Sequence, residues 1–263
     1  MNLSEIKELY SEELTLLKNI QSFGKTHSKT DLGRKDKVVM MLLYRVFSNL
    51  HSATILTTTA LRNKRISFYQ LPIGIILRSC FIDCLFALFI QRLDKKTACE
   101  ELDLRAVEYA NSLLERQEVY RDQVKSTGLE FDDSFIDHMW ELTLEDNFLH
   151  LLAFDESEED IVLTKQSKAQ LQDSGFSKSK STGIKGQKDF LIEQAGLDTL
   201  AKKLYGYYKY FSQYEHFSEN GQGDVIVSSQ EDDNDNIHFP SCIRVLHSAV
   251  EEIIKGFKLN KCR

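Results

Sequence analysis

Apolar positions return at helical spacing along most of the chain. Ile6, Leu9, Leu14, Leu17 and Ile20 trace one stripe, and Val38, Leu42, Val46, Leu50 and Ala53 a second, each the mark of a helix with one buried face. Ser4 with Glu5 and Glu8 supplies polar and acidic groups for the first turn of the opening helix. From Gly24 to Lys37 the chain is polar and basic. Residues 72–90, PIGIILRSCFIDCLFALFI, depart from the stripe pattern because they are apolar on nearly every side. Such a helix belongs at the centre of a bundle, and Arg78 and Asp83 within it argue against a place in lipid. Pro72 suits a first turn, where its missing N–H is least needed, so the spacing predicts a central helix from Pro72 to about Asp94.

Further along, Leu102, Ala106, Tyr109 and Leu113 mark a helix from about Thr97 to Lys125, with Gly128 as its stop. Phe135, Met139, Leu142, Leu149 and Leu152 mark another over 133–153. The acidic run 155–160 reads as a solvated junction between helices, since its like charges repel when packed together. Residues 174–188, rich in glycine and lysine, read as a loop that lacks the G-x-x-x-x-G-K-[ST] order of a phosphate-binding turn. An aromatic-rich helix is expected from Phe190 to His216, and a short β-hairpin at 225–239 around the acidic 231–236 turn. Pro240 introduces a last helix carrying Ile243, Leu246, Val250, Ile253 and Ile254. No sustained alternation of the kind a larger sheet needs is present, so the pattern predicts an all-α, multi-helix bundle formed by one domain, 1–263, with residues 1–65 as an amino-terminal helical hairpin on bundle 66–263.

Composition narrows the function. The 263 residues carry 33 Lys plus Arg against 40 Asp plus Glu, a formal charge of -7, which excludes the overall basic field of a general nucleic-acid binder. Any such role has to be local, near the basic patches at 174–188 and the carboxyl tail. Five scattered cysteines suit reduced thiols, and the amino terminus lacks the basic head and apolar stretch of a secretory signal. The expectation is a cytoplasmic protein with no membrane partner.

Candidate chemistry begins with Arg78 and Asp83, each costly in an apolar centre unless bonded. Five helical residues leave them about 140° apart around the axis, so each needs a partner on another helix. Ser212 and His216 share a helical face four residues apart. Ser212 can satisfy itself on the Tyr208 carbonyl one turn back, whereas an imidazole such as His216 can act as acid or base near neutral pH. Metal spacing is lacking: Cys80 and Cys84 share a face without a completing histidine and read as packed thiols, His138 and His150 do not give H-E-x-x-H, and Asp132 and Asp133 read as caps. No metal or cofactor is expected.

Two segments matter together, LPIGIILRSCFIDCLFALF and LYGYYKYFSQYEHFSEN. They resemble the signature helices of a broad, uncharacterised bacterial family of all-helical proteins, some found near abortive-infection and other phage-defence genes. In that family one helix carries Leu-Arg-Ser followed by an acidic residue, and a later one an aromatic-rich Ser-x-x-x-His. The resemblance covers about a quarter of the chain and implies a fold related to the HEPN superfamily, which includes metal-independent ribonucleases. It puts the family's arginine on Arg78, its serine on Ser212 and its histidine on His216. The family's acidic position falls on Ile82, with Asp83 one residue later, a turn of about 100° around the helix. The HEPN spacing of arginine to histidine is met literally only by Arg45 and His51, and 11 arginines with 7 histidines give about one such match by chance. No arginine stands at that spacing before His216, where Lys209 is the nearest basic residue. The resemblance therefore implies a host-defence effector acting on RNA, with His216 as acid/base, Arg78 or Lys209 on phosphate, and Ser212 and Asp83 beside them. A homodimer and an operon-encoded protein partner are further implications. The alternative is a non-catalytic helical interaction or ligand-sensing module in which Arg78, Asp83 and His216 maintain a polar network.

Overall fold

Helix α1 (Leu3–His27) starts on a reciprocal cap in which Asn2 Oδ1 accepts the Glu5 N–H at 3.0 Å and Glu5 Oε2 accepts the Asn2 N–H at 2.7 Å. Asn2, two residues ahead of the polar group expected at Ser4, therefore sets the entry. The structure, a computed structural model, describes residues 2–27, 32–63, 66–127, 151–155, 160–169, 183–215 and 238–260. Along these run α2 (Arg34–Asn63), α3 (Ile66–Arg92), α4 (Lys95–Thr127), strands β1 (Leu152–Asp155) and β2 (Asp160–Leu163), then α5 (Ile184–Glu193), α6 (Asp198–Glu215) and α7 (Phe239–Asn260).

The residues group into two compact units, Met1–Lys95 with Ser181–Arg263, and Lys96–Lys180. The first is an all-α, multi-helix bundle. Its axis is α3, packed by α2, α5, α6 and α7, while α1 lies between α2 and α7. Ile73, Leu77, Cys80, Phe81, Cys84, Leu85, Leu88, Phe89 and Ile90 of α3 are all buried, as expected of a helix apolar on every side. By length and composition alone α2 and residues 68–92 could cross a membrane. In α3, 67% of the most apolar window is buried by neighbouring helices; in α2 the share is 39%.

Pro72 does not begin α3, which starts six residues earlier at Ile66. The missing Pro72 N–H leaves the Phe68 carbonyl without its helical donor on a turn where Phe68 itself is 75% exposed. At the other end, Lys35 of α2 donates to the Leu93 carbonyl just past α3, placing a cation at the negative end of the helix.

Three further expectations are corrected. The predicted loop at 174–188 turns helical at Ile184, because Ile184, Gln187 and Leu191 share one face and the last two are buried. The single helix read from Phe190 to His216 is two, α5 and α6, separated at Gly196, whose φ of 66° lies in the left-handed region. The Leu197 N–H bonds the Leu191 carbonyl across this turn at 3.0 Å. In the second unit the acidic run is no helix junction: Leu152–Asp155 pairs antiparallel with Asp160–Leu163, with Asp155 opposite Asp160. Leu151 and Leu163 pack there with Val107 and Ala110 of α4. The helix expected over 133–153 lies outside the described residues up to 150 and is strand β1 at Leu152 and Ala153; the hairpin expected at 225–239 lies outside them up to 237, and Phe239 already belongs to α7.

Candidate functional site

The two segments of the family resemblance meet where α3 crosses α6. Arg78 Nε donates to Ser212 Oγ at 3.0 Å, and Ser212 in turn donates to the Tyr208 carbonyl at 2.7 Å, the intrahelical bond that the sequence suggested. The guanidinium lies 5.4 Å from the centre of the Tyr208 ring, within cation–π range. Tyr205, one turn earlier, has its ring 5.9 Å from that of Tyr208, and Lys188 of α5 lies 5.1 Å above Tyr205. Residues 205, 208 and 212 share a face of α6, so Lys188, Tyr205, Tyr208, Arg78 and Ser212 form a continuous strip. A hydrogen bond to Asp189, at 2.7 Å, pushes the Lys188 pKa up.

Aromatic packing anchors the strip from below. Phe81 stacks on Tyr207 at 5.4 Å and on Phe211 at 6.0 Å, and Phe211 reaches Phe239 of α7. Burial pushes the Tyr207 pKa up, with Cys242 adding to it. Tyrosines 205 and 208 are half-buried, so their rings are backed by the bundle and their edges reach solvent.

Asp83 is elsewhere. It faces α2, where its Oδ1 lies 3.3 Å from Arg45, and its Oδ2 has no hydrogen-bond partner among the described residues. The side chains are 3% and 65% exposed, so a sealed carboxylate sits beneath a guanidinium that reaches water. Burial raises the Asp83 pKa to about 6 against the opposing pull of Arg45. Arg78 and Asp83 thus tie α3 to two different helices, in keeping with their angular separation. Lys209 is exposed on α6, and His216 lies outside the described residues. His51, the other half of the literal arginine–histidine spacing, is exposed on α2 with its ring 6.4 Å from Phe47, while Arg45 is engaged by Asp83.

A second polar cluster escaped the sequence reading. Glu13 is fully buried, its Oε1 3.2 Å from the Thr57 hydroxyl, which is also 3.0 Å from the Ala53 carbonyl. One hydroxyl proton serves only one of these acceptors. A protonated Glu13 resolves the conflict by donating to Thr57 while Thr57 donates to Ala53. Burial accordingly pushes the Glu13 pKa up to about 8, against hydrogen bonds from Thr57 and Thr54. The Cys80 and Cys84 thiols are sealed in the same core, and burial raises both of their pKa values, so they pack as apolar groups. The signal for Glu13 was available: it stands on the stripe Ile6, Leu9, Leu16, Ile20, where Leu14 had been expected to point inward.

No protein-family model matches this chain, and no curated protein or solved structure matches it.

Proposed function

We propose that the chain is a HEPN-like, RNA-directed effector of host defence that works by metal-independent acid/base chemistry at the α3–α6 crossing. The observation that supports this reading is the Arg78–Ser212 bond at one end of a strip in which the Tyr205 and Tyr208 rings lie between the Lys188 and Arg78 cations. Aromatic faces accept unstacked bases and cations accept the phosphates between them, a combination suited to single-stranded RNA despite the chain's negative total. In this reading His216, four residues beyond Ser212, moves the proton, and Arg78 or the exposed Lys209 holds the phosphate. Labelled total RNA and transfer RNA incubated with the protein in the presence of a chelator test it. Cleavage by wild type that disappears in His216→Ala and drops roughly tenfold or more in Arg78→Ala is expected. Absence of cleavage, or the same cleavage after His216→Ala, would refute it.

A second reading, a non-catalytic helical interaction module, is favoured by the use that the charged groups of α3 find within the bundle: Arg78 on Ser212, Asp83 on Arg45 and Arg92 on Glu252. It predicts that Arg78→Ala lowers thermal stability while His216→Ala changes nothing measurable.

A further inference from the structure

Helix α2 is apolar on two sides. One face is buried against α1 and α3; the other leaves Met41, Tyr44 and Ile55 exposed by 67%, 70% and 54%. These three recur with Ser48 and His51 at spacings of three and four, a seam of about 21 Å at 1.5 Å per residue. The rings of Tyr44, Phe47 and His51 stack in sequence along it, at 6.3 and 6.4 Å. Beside the seam a groove of about 460 Å³ runs between α1 and α2, lined by Ile20, Phe23, Gly24, Leu43, Tyr44 and Phe47.

Gly24 gives the groove a specific vacancy. It stands inside α1, where glycine costs about 1 kcal/mol relative to alanine, yet a Cβ built there meets nothing within 4 Å. No neighbouring backbone or side chain requires the missing methyl group, and the space it leaves opens onto the groove.

Charge identifies the occupant. From Leu14 to His27 and through α2 the two helices carry Lys18, Lys25, Arg34, Lys35, Lys37, Arg45 and Arg62 against Asp36, +6, or +5 once the Asp83 carboxylate beneath Arg45 is counted, within a chain of net -7. A second copy laid antiparallel about Ser48 sets Met41 against Ile55 but also Arg34 against Arg62, and a parallel copy sets each base against itself. Both self-pairings bring like charges together. A lipid surface does not fill a slot between two helices. We propose that the groove and the outer face of α2 receive an acidic amphipathic helix from a partner protein, whose apolar side chains enter beside Gly24 and whose carboxylates meet the basic flanks. The proposal uses none of Arg78, Ser212 or His216, so it stands apart from the RNA reading.

The probe is a fluorescein-labelled helical peptide with leucines at every third and fourth position and glutamates between them, followed by anisotropy at low and high salt. Binding should weaken roughly tenfold in Tyr44→Ser and again in Gly24→Leu, which fills the groove, and should fall with salt. A peptide with lysine in place of glutamate should not bind. Circular dichroism and thermal melts confirm that both variants are folded; Met41→Ser replaces either one that is not. Absence of peptide binding, or binding indifferent to these substitutions, overturns the proposal. So does a Tyr44-dependent dimer in sedimentation, or Tyr44-dependent binding of polyuridine or of phosphatidylserine vesicles in place of the peptide.

Discussion

Glu13→Gln isolates the energetic effect of one sealed carboxyl. The native state keeps Glu13 protonated up to about pH 8, whereas an exposed glutamate in the unfolded chain ionises near 4.5. Below pH 4.5 both states hold the proton and the full stability is present. As the pH rises from there the unfolded chain releases its proton and the native chain does not, so stability falls until the native group ionises at about 8. At about 1.36 kcal/mol for each pH unit between the two values, the loss is roughly 4 to 5 kcal/mol, a large part of the 5 to 15 kcal/mol typical of a folded domain. Glutamine has the same shape, can donate to Thr57 and does not titrate. Urea unfolding of wild type and Glu13→Gln from pH 5 to pH 9 should therefore give curves of similar midpoint at the acidic end. They should diverge with rising pH until the variant is the more stable by roughly 4 kcal/mol. A difference between the two that stays constant within about 1 kcal/mol across that range would refute the reasoning, because Glu13 would then be ionised in the native core or accessible to water.

Asp83 should produce a second step, with stability lost between about pH 4 and 6 as the unfolded chain ionises first. Arg45→Met removes the charge that opposes its burial and should move the native midpoint above 6, read from the Asp83 carboxyl resonance; a midpoint that stays or falls would show that Arg45 has no hold on Asp83. Gly256 is a site of close approach, since a Cβ there would lie 2.3 Å from the Gln91 side chain, whose Nε2 donates to the Ile253 carbonyl at 2.8 Å. Gly256→Ala should destabilise by about 1 to 3 kcal/mol, and Gln91→Ala in the same chain should recover most of it; additive costs in that double-mutant cycle would contradict the contact.

The architecture was readable where a stripe of apolar residues ran long enough to outweigh local signals. The α3 sequence is so uniformly apolar that its central place follows from composition, but its start does not: Pro72 is a plausible first residue, and only the helical turn ahead of it shows that the proline is interior. Leu152 continued an apolar spacing that looked helical, yet four residues of strand need too little sequence to betray their period. At the candidate site, the angle between Arg78 and Asp83 excluded a mutual pair, and the Ser212 bond to Tyr208 followed from helix geometry alone. Arg45 as partner of Asp83 was not readable, because the register between α2 and α3 is set by packing of whole faces. Glu13 was missed because Leu14, one residue on, makes an apolar stripe of its own with Leu17, so the pattern closes without a carboxylate in the core.

The order in which the bundle is synthesised separates α3 from most of its cover. The 85 residues of Lys96–Lys180 are made before α5, α6 and α7 exist to pack on it. At about 5 to 20 residues per second, roughly 4 to 17 s pass between completion of the α1–α3 portion and the first residue that can shield Phe81, Leu85 and Phe89. During that interval α3 lacks the sides that α5, α6 and α7 cover in the folded unit. Nascent chains should therefore engage chaperones most strongly when they end within 96–180, and a circular permutant that begins at Ser181 and runs through residue 263 into residue 1 should shorten that engagement.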